Sequence, residues 1–369
     1  MKKRALFLCN TVYQVMVALW IKQRLLLEEN ADIIISDHTN GGEEISDKLK
    51  MSRLFSNVYY AKTLIVARYR YEPSNVKLFL KDLFPSRQLK KYVNIKEKYT
   101  DLYLANFDMF SQLLFTAISY HNTNLNLHVF EDGLSTYMEI KQYYEYFKPY
   151  YWDNSYSKIK RFIHEKVYRK RPLYSNVYRF LVFNPNVMKW DPGCRIDLLE
   201  KININNASFK QLVNKVFALS DSPDRYDRKY IFFEESFFAD GESINDVELV
   251  ERLAKKVGKD NIMIKIHPRN PVNRFAKLGF KTNQDTSIPW EVILMNMNDV
   301  ADKVFLTVAS SAILNPIMIF GSSIHAYSLY NCLSIVPQRL KGESWAFLKS
   351  MFEQYPDMIK ICESIEEIE

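Results

Sequence analysis

Short apolar runs alternate along this chain with longer segments whose apolar residues recur at helical spacing. After the run at 5–10, residues such as Val15, Leu19 and Ile21 indicate a helix over 13–27. The same pattern predicts strands at 32–36, 58–61, 102–105 and 127–130, and helices at 43–54, 75–97 and 109–119. Such an alternation is typical of a parallel sheet that carries helices on both faces.

The second half of the chain repeats this alternation. Strands are predicted at 229–233, 261–264, 304–308, 324–327 and 359–361, and helices at 245–257 and 312–319. Residues 180–208 contain Pro185 and Pro192 and are predicted to connect the two halves. A chain of 369 residues is long enough for two domains. We therefore predict an α/β protein with two Rossmann-like domains, 1–190 and 206–369, that face each other across a cleft.

Composition excludes several classes of protein. Hydrophobic residues make up 47% of the chain and charged residues 25%, as in a globular protein rather than a disordered one. No apolar run reaches the length of about eighteen residues that a membrane span needs. The apolar run at 5–9 is too short for the core of a signal peptide, and the scattered cysteines suggest neither a disulfide framework nor a zinc site. We therefore expect a cytoplasmic protein.

The stretch His267-Pro268-Arg269 follows the apolar run at 261–264. Proline has no N–H to donate to a central ladder, so the strand should stop at His267 and leave the imidazole and the Arg269 guanidinium at its carboxyl end. Ligands bind at that edge of open α/β sheets, and a pair of cationic groups there suits an anionic ligand. A strand-ending turn with a surface histidine is the alternative interpretation.

Two further strand ends carry functional groups. Glu131-Asp132-Gly133 closes the last strand of the first half, and Ser310-Ser311 lies between a strand and a helix, where hydroxyls and free N–H groups suit a phosphate. The chain has only nine glycines and lacks both G-x-G-x-x-G and a Walker sequence, so a phosphate must be held in another way. An acidic pair opposite a phosphate site suits transfer from a nucleotide sugar, because a carboxylate can take the proton of an acceptor hydroxyl.

Asn10, Thr11 and Gln14 lie where the first strand passes into the first helix. Side chains at the carboxyl end of a strand are candidates for substrate binding. Thr11 also suits the N-cap of the helix, which would be a purely structural role.

Taken in order, these motifs resemble those of the bacterial CMP-sialic-acid-dependent sialyltransferases, most closely glycosyltransferase family 52. Those enzymes share an acidic-acidic-glycine motif, a later His-Pro motif and a Ser-Ser or Ser-Thr motif. The Thr-x-x-Gln pattern of Thr11 and Gln14 is similar to the opening of family 52 chains. The resemblance covers most of the chain, and each of its motifs is short.

The resemblance implies a GT-B fold, inversion at the anomeric carbon, and no metal or other cofactor. It implies CMP-sialic acid as the donor and a galactose-terminated glycan of a capsule or lipooligosaccharide as the acceptor. The acidic motif would supply the general base and His267 would contact the leaving group. Ser310 and Ser311 would hold the CMP phosphate. A GT-B glycosyltransferase that uses another nucleotide sugar in surface polysaccharide synthesis is the alternative.

A second acidic-glycine pair, Asp240-Gly241, precedes the His-Pro motif. The resemblance to family 52 favours a base from a loop in this half. The expected geometry favours Glu131 or Asp132, which would face a CMP bound in the second half. Both Asp132 and Asp240 therefore stay open as the base, and ordinary turn chemistry explains an Asp-Gly pair equally well.

An aromatic and basic segment covers 143–179. Its lysines and arginines alternate with Tyr and Phe, a composition that suits contact with an anionic membrane, and no nucleic-acid-binding signature accompanies them. We expect peripheral contact with the inner face of the cell membrane and no nucleic acid, and we leave a homodimer open. A solvated helix face is the alternative for this segment.

A binding module without activity is the non-enzymatic alternative for the chain, and it would tolerate loss of both Asp132 and Asp240.

Overall fold

The structure is a computed structural model that describes residues 3–64, 85–138, 173, 176–188, 190–222 and 224–369. The chain divides into two compact units, Met1–Glu200 and Lys201–Glu369. The predicted domain limits, residues 190 and 206, lie on either side of this division. Among the described residues, no helix is both long enough and apolar enough to cross a membrane.

The first unit is a parallel sheet with helices between its strands. In chain order its elements are β1 (Arg4–Cys9), α1 (Val12–Leu25), β2 (Asn30–Ser36), α2 (Gly42–Ser52), β3 (Asn57–Ala61), α3 (Pro85–Leu89), β4 (Asp101–Leu104), α4 (Met109–His121), β5 (Asn126–Phe130), β6 (Val177–Val182) and β7 (Arg195–Leu198). The spatial order is β3-β2-β1-β4-β5-β6-β7, and all neighbouring strands are parallel. The order reverses between β1 and β4, which is where such sheets bind ligands.

The second unit has the same architecture. Its elements are α5 (Ala207–Val216), β8 (Tyr230–Phe233), α6 (Asp246–Val257), β9 (Ile262–Lys265), α7 (Arg274–Lys277), β10 (Lys281–Thr282), α8 (Trp290–Asn296), β11 (Val304–Thr307), β12 (His325–Ser328), α9 (Glu343–Phe352) and β13 (Ile359–Ile361). The order β10-β9-β8-β11-β12-β13 is again fully parallel. The switch point lies between β8 and β11. The predicted α/β class and the two Rossmann-like sheets are therefore confirmed.

Apolar strands form the core of each unit. All residues of β1 except Arg4 are buried, as are all residues of β4, β8 and β11. Strands that are buried throughout are typical of parallel sheets whose two faces are covered. Their apolar runs, rather than an alternating pattern, made these strands recognisable in the sequence.

The segment 180–208 contains the division between the two units, after Glu200, but its first part belongs to the first sheet and was wrongly predicted as a connection. It contains the end of β6 and all of β7, separated by a 3-10 turn at Pro185–Val187. Proline suits the first position of such a turn, because an N–H at this position would have no acceptor within the turn. β7 was missed because Arg195 and Asp197 alternate with apolar residues on a short strand at the edge of the sheet.

The helix predicted over 312–319 is not an α-helix. The chain there forms a 3-10 turn at Ser311–Ile313 and a short π-helical turn at Pro316–Phe320. Pro316 has no N–H for a bond to the carbonyl four residues before it, so a regular α-helix is interrupted there.

The helix predicted over 75–97 lies partly outside the described residues. Within 85–97, only Pro85–Leu89 is helical. The elements β6, α5, α7, α8, α9 and β10 were not predicted from the sequence.

A chain of polar side chains crosses four neighbouring strands, from β4 to β7. Asp101 Oδ1 lies 2.8 Å from His128 Nε2. Arg179 donates from Nε to His128 Nδ1 and from Nη1 to Asp197 Oδ2, both at 2.8 Å. Because Nδ1 accepts, the imidazole is neutral with its hydrogen on Nε2, and burial lowers its pKa. These contacts link the side chains of the four neighbouring strands β4, β5, β6 and β7.

Candidate active site

The first unit places polar side chains at its switch point, where β1 and β4 end. Asn10 follows β1, and its Nδ2 donates to Asp108 Oδ2 at 2.7 Å and to Asn106 Oδ1 at 3.2 Å. Thr11 is the N-cap of α1, because its Oγ1 accepts from the Gln14 N–H at 3.1 Å. Thr11 therefore fills the structural role that its sequence position also suggested.

Gln14 joins two of the predicted motifs. Its side-chain Oε1 accepts from the Asn10 N–H at 2.6 Å, and its Nε2 donates to Asp132 Oδ1 at 2.6 Å. The amide therefore bridges the end of β1 and the end of β5 while it is itself buried. A leucine of the same length could provide neither bond, which explains why an amide stands at this position of the first helix.

Glu131 is buried at the end of β5 and surrounded by donors. It accepts from the Tyr13 hydroxyl at 3.1 Å, from the Phe183 N–H at 2.8 Å, and from the Tyr137 hydroxyl through a short contact. Burial nevertheless raises its pKa to about 7, against the effect of these bonds. Since Glu131 is only 1% exposed, it supports the site from within rather than meeting a ligand.

Asp132 differs from its neighbour because it is partly exposed. Burial raises its pKa to about 6, the nearby Asp108 charge adds to this rise, and hydrogen bonds from Gln14 and Asn106 oppose it. A carboxylate of this kind is ionised at neutral pH and basic enough to accept a proton in a reaction.

Gly133 allows the chain to turn directly after the acidic pair. Its φ of 65° lies in the left-handed region that glycine tolerates best. The turn is stabilised by the bond from the Asp132 N–H to Thr136 Oγ1 at 2.7 Å, and it returns Tyr137 to Glu131. The structure thus gives Gly133 a backbone role.

In the second unit, an ion-pair network supports the His-Pro motif. Arg274 Nη2 donates to Glu234 Oε1 at 2.8 Å and to Asp246 Oδ2 at 2.6 Å, and all three side chains are largely buried. Glu234 Oε2 in turn accepts from the His267 N–H at 3.0 Å. The backbone at His267 is therefore held by a buried carboxylate. The sequence signal for this was the Glu234-Glu235 pair at the end of β8.

His267 is neutral in this setting. Burial, together with the charges of Arg269 and Lys265, lowers its pKa to about 4. Its Nδ1 accepts from the Arg269 N–H at 3.2 Å, which leaves the ring hydrogen on Nε2 as a donor. β9 ends at Lys265, so the strand stops two residues earlier than predicted, and Pro268 lies in the turn that follows.

Asp240 is held by two arginines. Oδ1 accepts from Arg269 Nη1 at 3.2 Å, while Oδ2 accepts from Arg339 Nη1 at 2.7 Å and from Ser236 Oγ at 3.0 Å. The side chain of Asp240 is only 13% exposed, whereas those of Arg269 and Arg339 are 58% and 56% exposed. The carboxylate thus ties together three loops, those after β8, β9 and β12. Gly241, with a φ of 77°, completes the turn of the first of these loops.

Arg339 was missed in the sequence. It belongs to no motif, lies between Pro337 and Lys341 in a 3-10 turn, and is 99 residues from its partner Asp240. No local pattern in the sequence pointed to this pairing.

The Ser-Ser motif is more constrained than predicted. The Ser310 N–H donates to Thr307 Oγ1 at 2.8 Å, and the Ala309 N–H donates to Glu235 Oε1 at 3.1 Å. Ser310 Oγ accepts from the Ala312 N–H at 3.2 Å as the N-cap of a three-residue 3-10 turn. The expectation of free N–H groups at the Ser-Ser motif is therefore wrong for Ser310. Both serines are partly exposed, so their hydroxyls remain candidates for binding.

Within the described parts of the chain, no group of three or more His, Cys, Asp or Glu side chains is arranged to hold a metal ion. In the first unit, the carboxylates of raised pKa suit proton transfer. In the second unit, a neutral histidine and the arginines of two loops suit the binding of an anion.

The comparisons with known proteins concern both sequence and structure. Residues 5–327 match the model of a family described as alpha-2,8-polysialyltransferase (POLYST). The chain is similar to the α/β-galactoside α-2,3-sialyltransferase of the luminous marine bacterium Photobacterium phosphoreum, with 12% identity, 100% of each chain covered and a TM-score of 0.50. No curated protein sequence matches the chain.

Two further solved structures are similar at a lower score. One is residues 113–497 of a sialyltransferase from Photobacterium damselae, its GT-B domain, with 12% identity, 97% of this chain and 99% of that chain covered, and a TM-score of 0.48. The other is the UDP-GlcNAc 2-epimerase of Methanocaldococcus jannaschii, with 13% identity, coverage of 100% and 90%, and a TM-score of 0.49.

The family model spans most of the chain and both of its units. The two parallel sheets, each in Rossmann strand order, and the likeness to the Photobacterium phosphoreum enzyme confirm the predicted GT-B fold. The predicted resemblance to bacterial sialyltransferases is confirmed as well. The chain therefore belongs to the alpha-2,8-polysialyltransferase family and is a glycosyltransferase of the sialyltransferase type.

Proposed function

We propose that this enzyme transfers sialic acid from CMP-sialic acid to a galactose-terminated surface glycan of a capsule or lipooligosaccharide, with inversion and without a metal. The family supports the sialyl group, and the residues at the two switch points support the chemistry. The main support for the proposal is the setting of Asp132. Its carboxylate is partly exposed, has a pKa of about 6 and is held by the Gln14 amide.

In this proposal Asp132 is the general base. The acceptor hydroxyl oxygen attacks the anomeric carbon of the sialyl residue, its proton passes to the Asp132 carboxylate, and the bond to the CMP phosphate breaks. Gln14 can hold the carboxylate by a neutral hydrogen bond in both protonation states, and Glu131 supports the turn from below. The transition state has oxocarbenium character, which nearby negative charge stabilises.

The leaving CMP is assigned to the second unit. His267, with its hydrogen on Nε2, can donate to a phosphate oxygen, and the hydroxyls of Ser310 and Ser311 can donate beside it. Arg269 adds positive charge near the histidine. This charge stabilises the phosphate in place of the metal ion that other transferases use.

Asp240 is the alternative base. Its contacts with Arg269 and Arg339 favour a bracing role, because the arginines and Ser236 already occupy both carboxylate oxygens. As the base, Asp240 would have to accept the proton while these donors hold it.

The acceptor has a second candidate. The family description names an α-2,8 linkage, and in a polysialic acid this linkage joins one sialic acid to the next. A glycan that ends in sialic acid is therefore the second candidate acceptor. A donor other than CMP-sialic acid remains the alternative for the nucleotide sugar.

The experiment is incubation of the purified enzyme with CMP-sialic acid and two sets of acceptors, one galactose-terminated and one sialyl-terminated. Sialylated product with either set, inhibited by CMP and not by UDP, supports the proposal. Transfer from a UDP-sugar alone, inhibited by UDP, would show that the donor assignment is wrong. The linkage of the product separates the two acceptors.

The proposed membrane contact rests on the segment 143–179, most of which lies outside the described residues. We propose peripheral attachment at the inner face of the membrane. Sedimentation with anionic vesicles should weaken as salt is added, because exposed charges are screened within about 8 Å at physiological salt. Equal sedimentation with neutral vesicles would contradict the attachment.

The homodimer stays a prediction that sedimentation velocity can test.

A further inference from the structure

Glu235 lies at the switch point of the second sheet and belongs to none of the motifs. It directly follows Glu234 at the end of β8, beside the strand end that carries the Ser-Ser motif. Its Oε1 accepts from Thr307 Oγ1 and from the Ala309 N–H, both at 3.1 Å. One carboxylate oxygen therefore bridges the ends of the two central strands.

These bonds continue into the serines. Thr307 Oγ1, which donates to Glu235, accepts from the Ser310 N–H at 2.8 Å. The Ala309 and Ser310 N–H groups are thus both held by a relay that ends on Glu235. Because this relay sets the backbone from which the Ser310 and Ser311 hydroxyls extend, Glu235 determines the shape of the proposed phosphate site.

The charges around Glu235 disfavour its ionised form. Burial is the main cause of a pKa of about 7, and the carboxylates of Asp246 and Glu234 add to it. The cation nearest to these groups, Arg274, is already paired with Glu234 and Asp246. From β11 and the residues after it, the Thr307 hydroxyl and the Ala309 N–H donate to Glu235, and these neutral donors partly oppose the rise in its pKa.

We propose that Glu235 is a positioning residue of the phosphate site and that binding of the CMP phosphate at Ser310 and Ser311 is coupled to uptake of one proton by Glu235. This inference rests on the proposed donor site. The proton comes from solvent and adds to Oε2, so Oε1 keeps its bonds to Thr307 and Ala309. The neutral carboxyl group keeps the serines in place without repelling the anionic ligand.

The sign of the pH dependence follows from this coupling. A bound phosphate raises the pKa of Glu235 above its value of about 7 in the free enzyme. Affinity for CMP is therefore highest where Glu235 is already protonated. Above about pH 7, the dissociation constant increases by up to about tenfold per pH unit, the limit for one proton.

The test is calorimetric titration of CMP at pH 8 in two buffers of different ionisation enthalpy, with the wild type and Glu235→Gln. The glutamine amide oxygen can accept the same two hydrogen bonds but cannot titrate. The phosphate of CMP itself titrates near pH 6, and this contribution cancels between the two proteins. We expect the wild type to take up close to one proton more than the variant, and the ratio of the two dissociation constants to increase between pH 6 and pH 9.

A second variant separates positioning from titration. Glu235→Ala leaves the Ala309 N–H and Thr307 without their acceptor, so it should bind CMP more weakly than Glu235→Gln at every pH. If the wild type binds CMP with the same proton uptake and the same pH dependence as Glu235→Gln, the coupling is refuted while the proposed function stands. If the wild type does not bind CMP at all, the proposed donor site is refuted, and the coupling to Glu235 is refuted with it.

Discussion

Asp132 and Asp240 each precede a glycine of positive φ, yet the two carboxylates have different surroundings. Asp132 is held by the Gln14 amide, and burial raises its pKa to about 6. Asp240 is held by two guanidinium groups. A neutral partner leaves the Asp132 carboxylate free to gain a proton, whereas the two arginines brace Asp240 between neighbouring loops. The surroundings of an Asp-Gly pair therefore depend on distant partners, here 118 and 99 residues away in the sequence.

The two sheets show the same contrast on a larger scale. Both have the strand order of a Rossmann sheet with one switch point. At the first switch point the Asn10 and Gln14 amides surround carboxylates, while at the second Arg269 and Arg274 pair with them. In the proposed mechanism, one architecture therefore serves for a base in the first unit and for an anion site in the second.

Substitution of the proposed base should have the largest effect. Asp132→Asn should reduce kcat by about 10²- to 10⁴-fold, the usual contribution of a general base, with the donor KM nearly unchanged because the proton moves only in the transition state. The amide can still bond to Gln14, so the fold is preserved. Steady-state kinetics with a saturating acceptor measures both constants. A kcat within a few-fold of wild type would exclude Asp132 as the base.

Loss of the leaving-group donor should come next. His267→Ala should reduce transfer by about 10²-fold or more, as expected for one donor that stabilises the developing charge on the phosphate. The rate should be compared at equal acceptor concentration, with the melting temperature as the control for folding. Unchanged turnover in a folded variant would remove His267 from the phosphate site.

Asp240→Asn should have a smaller, mixed effect. The loop contacts weaken, so we expect a rise in donor KM and a loss of kcat of about tenfold or less, well below that of a general base. Arg339→Gln is the matched variant, because it removes the partner from another loop. The effects of the two substitutions should not add in the double variant, since they break the same contact. A pure kcat defect in Asp240→Asn, as large as that of Asp132→Asn, would reverse the assignment.

Removal of metal ions should have no effect. Activity is expected to persist in EDTA, because in the proposed mechanism Arg269, His267 and the serine hydroxyls stabilise the charge on the phosphate. Dialysis against EDTA followed by the transfer assay tests this. Complete loss, with recovery on addition of Mg²⁺ or Mn²⁺, would contradict the metal-free mechanism.

The buried strands and the motifs at their ends were predictable because both leave local patterns. Apolar runs marked β1, β4, β8 and β11, and a parallel sheet brings the carboxyl ends of its strands to one edge. The edge strand β7 left no such pattern, since Arg195 and Asp197 interrupt its apolar residues.

The partners of the site residues could not be predicted in the same way. The bond between Gln14 and Asp132, the pairing of Arg339 with Asp240, and the bonds of Glu235 to β11 all depend on tertiary contacts between distant positions. The Ser-Ser motif shows the consequence. Its residue types suggested free N–H groups, and the fold uses that of Ser310 internally.

The pH dependence of kcat tests the central claim, that Asp132 is the base, most directly. A base with a pKa of about 6 must be ionised to act, so kcat at saturating donor and acceptor should decrease as pH falls through 6, by about tenfold per pH unit. The measurement compares the wild type, Asp240→Asn and the residual activity of Asp132→Asn from pH 5 to pH 8. We predict that the acidic limb is present in the first two and absent in Asp132→Asn. An acidic limb that persists in Asp132→Asn and disappears in Asp240→Asn would contradict the account.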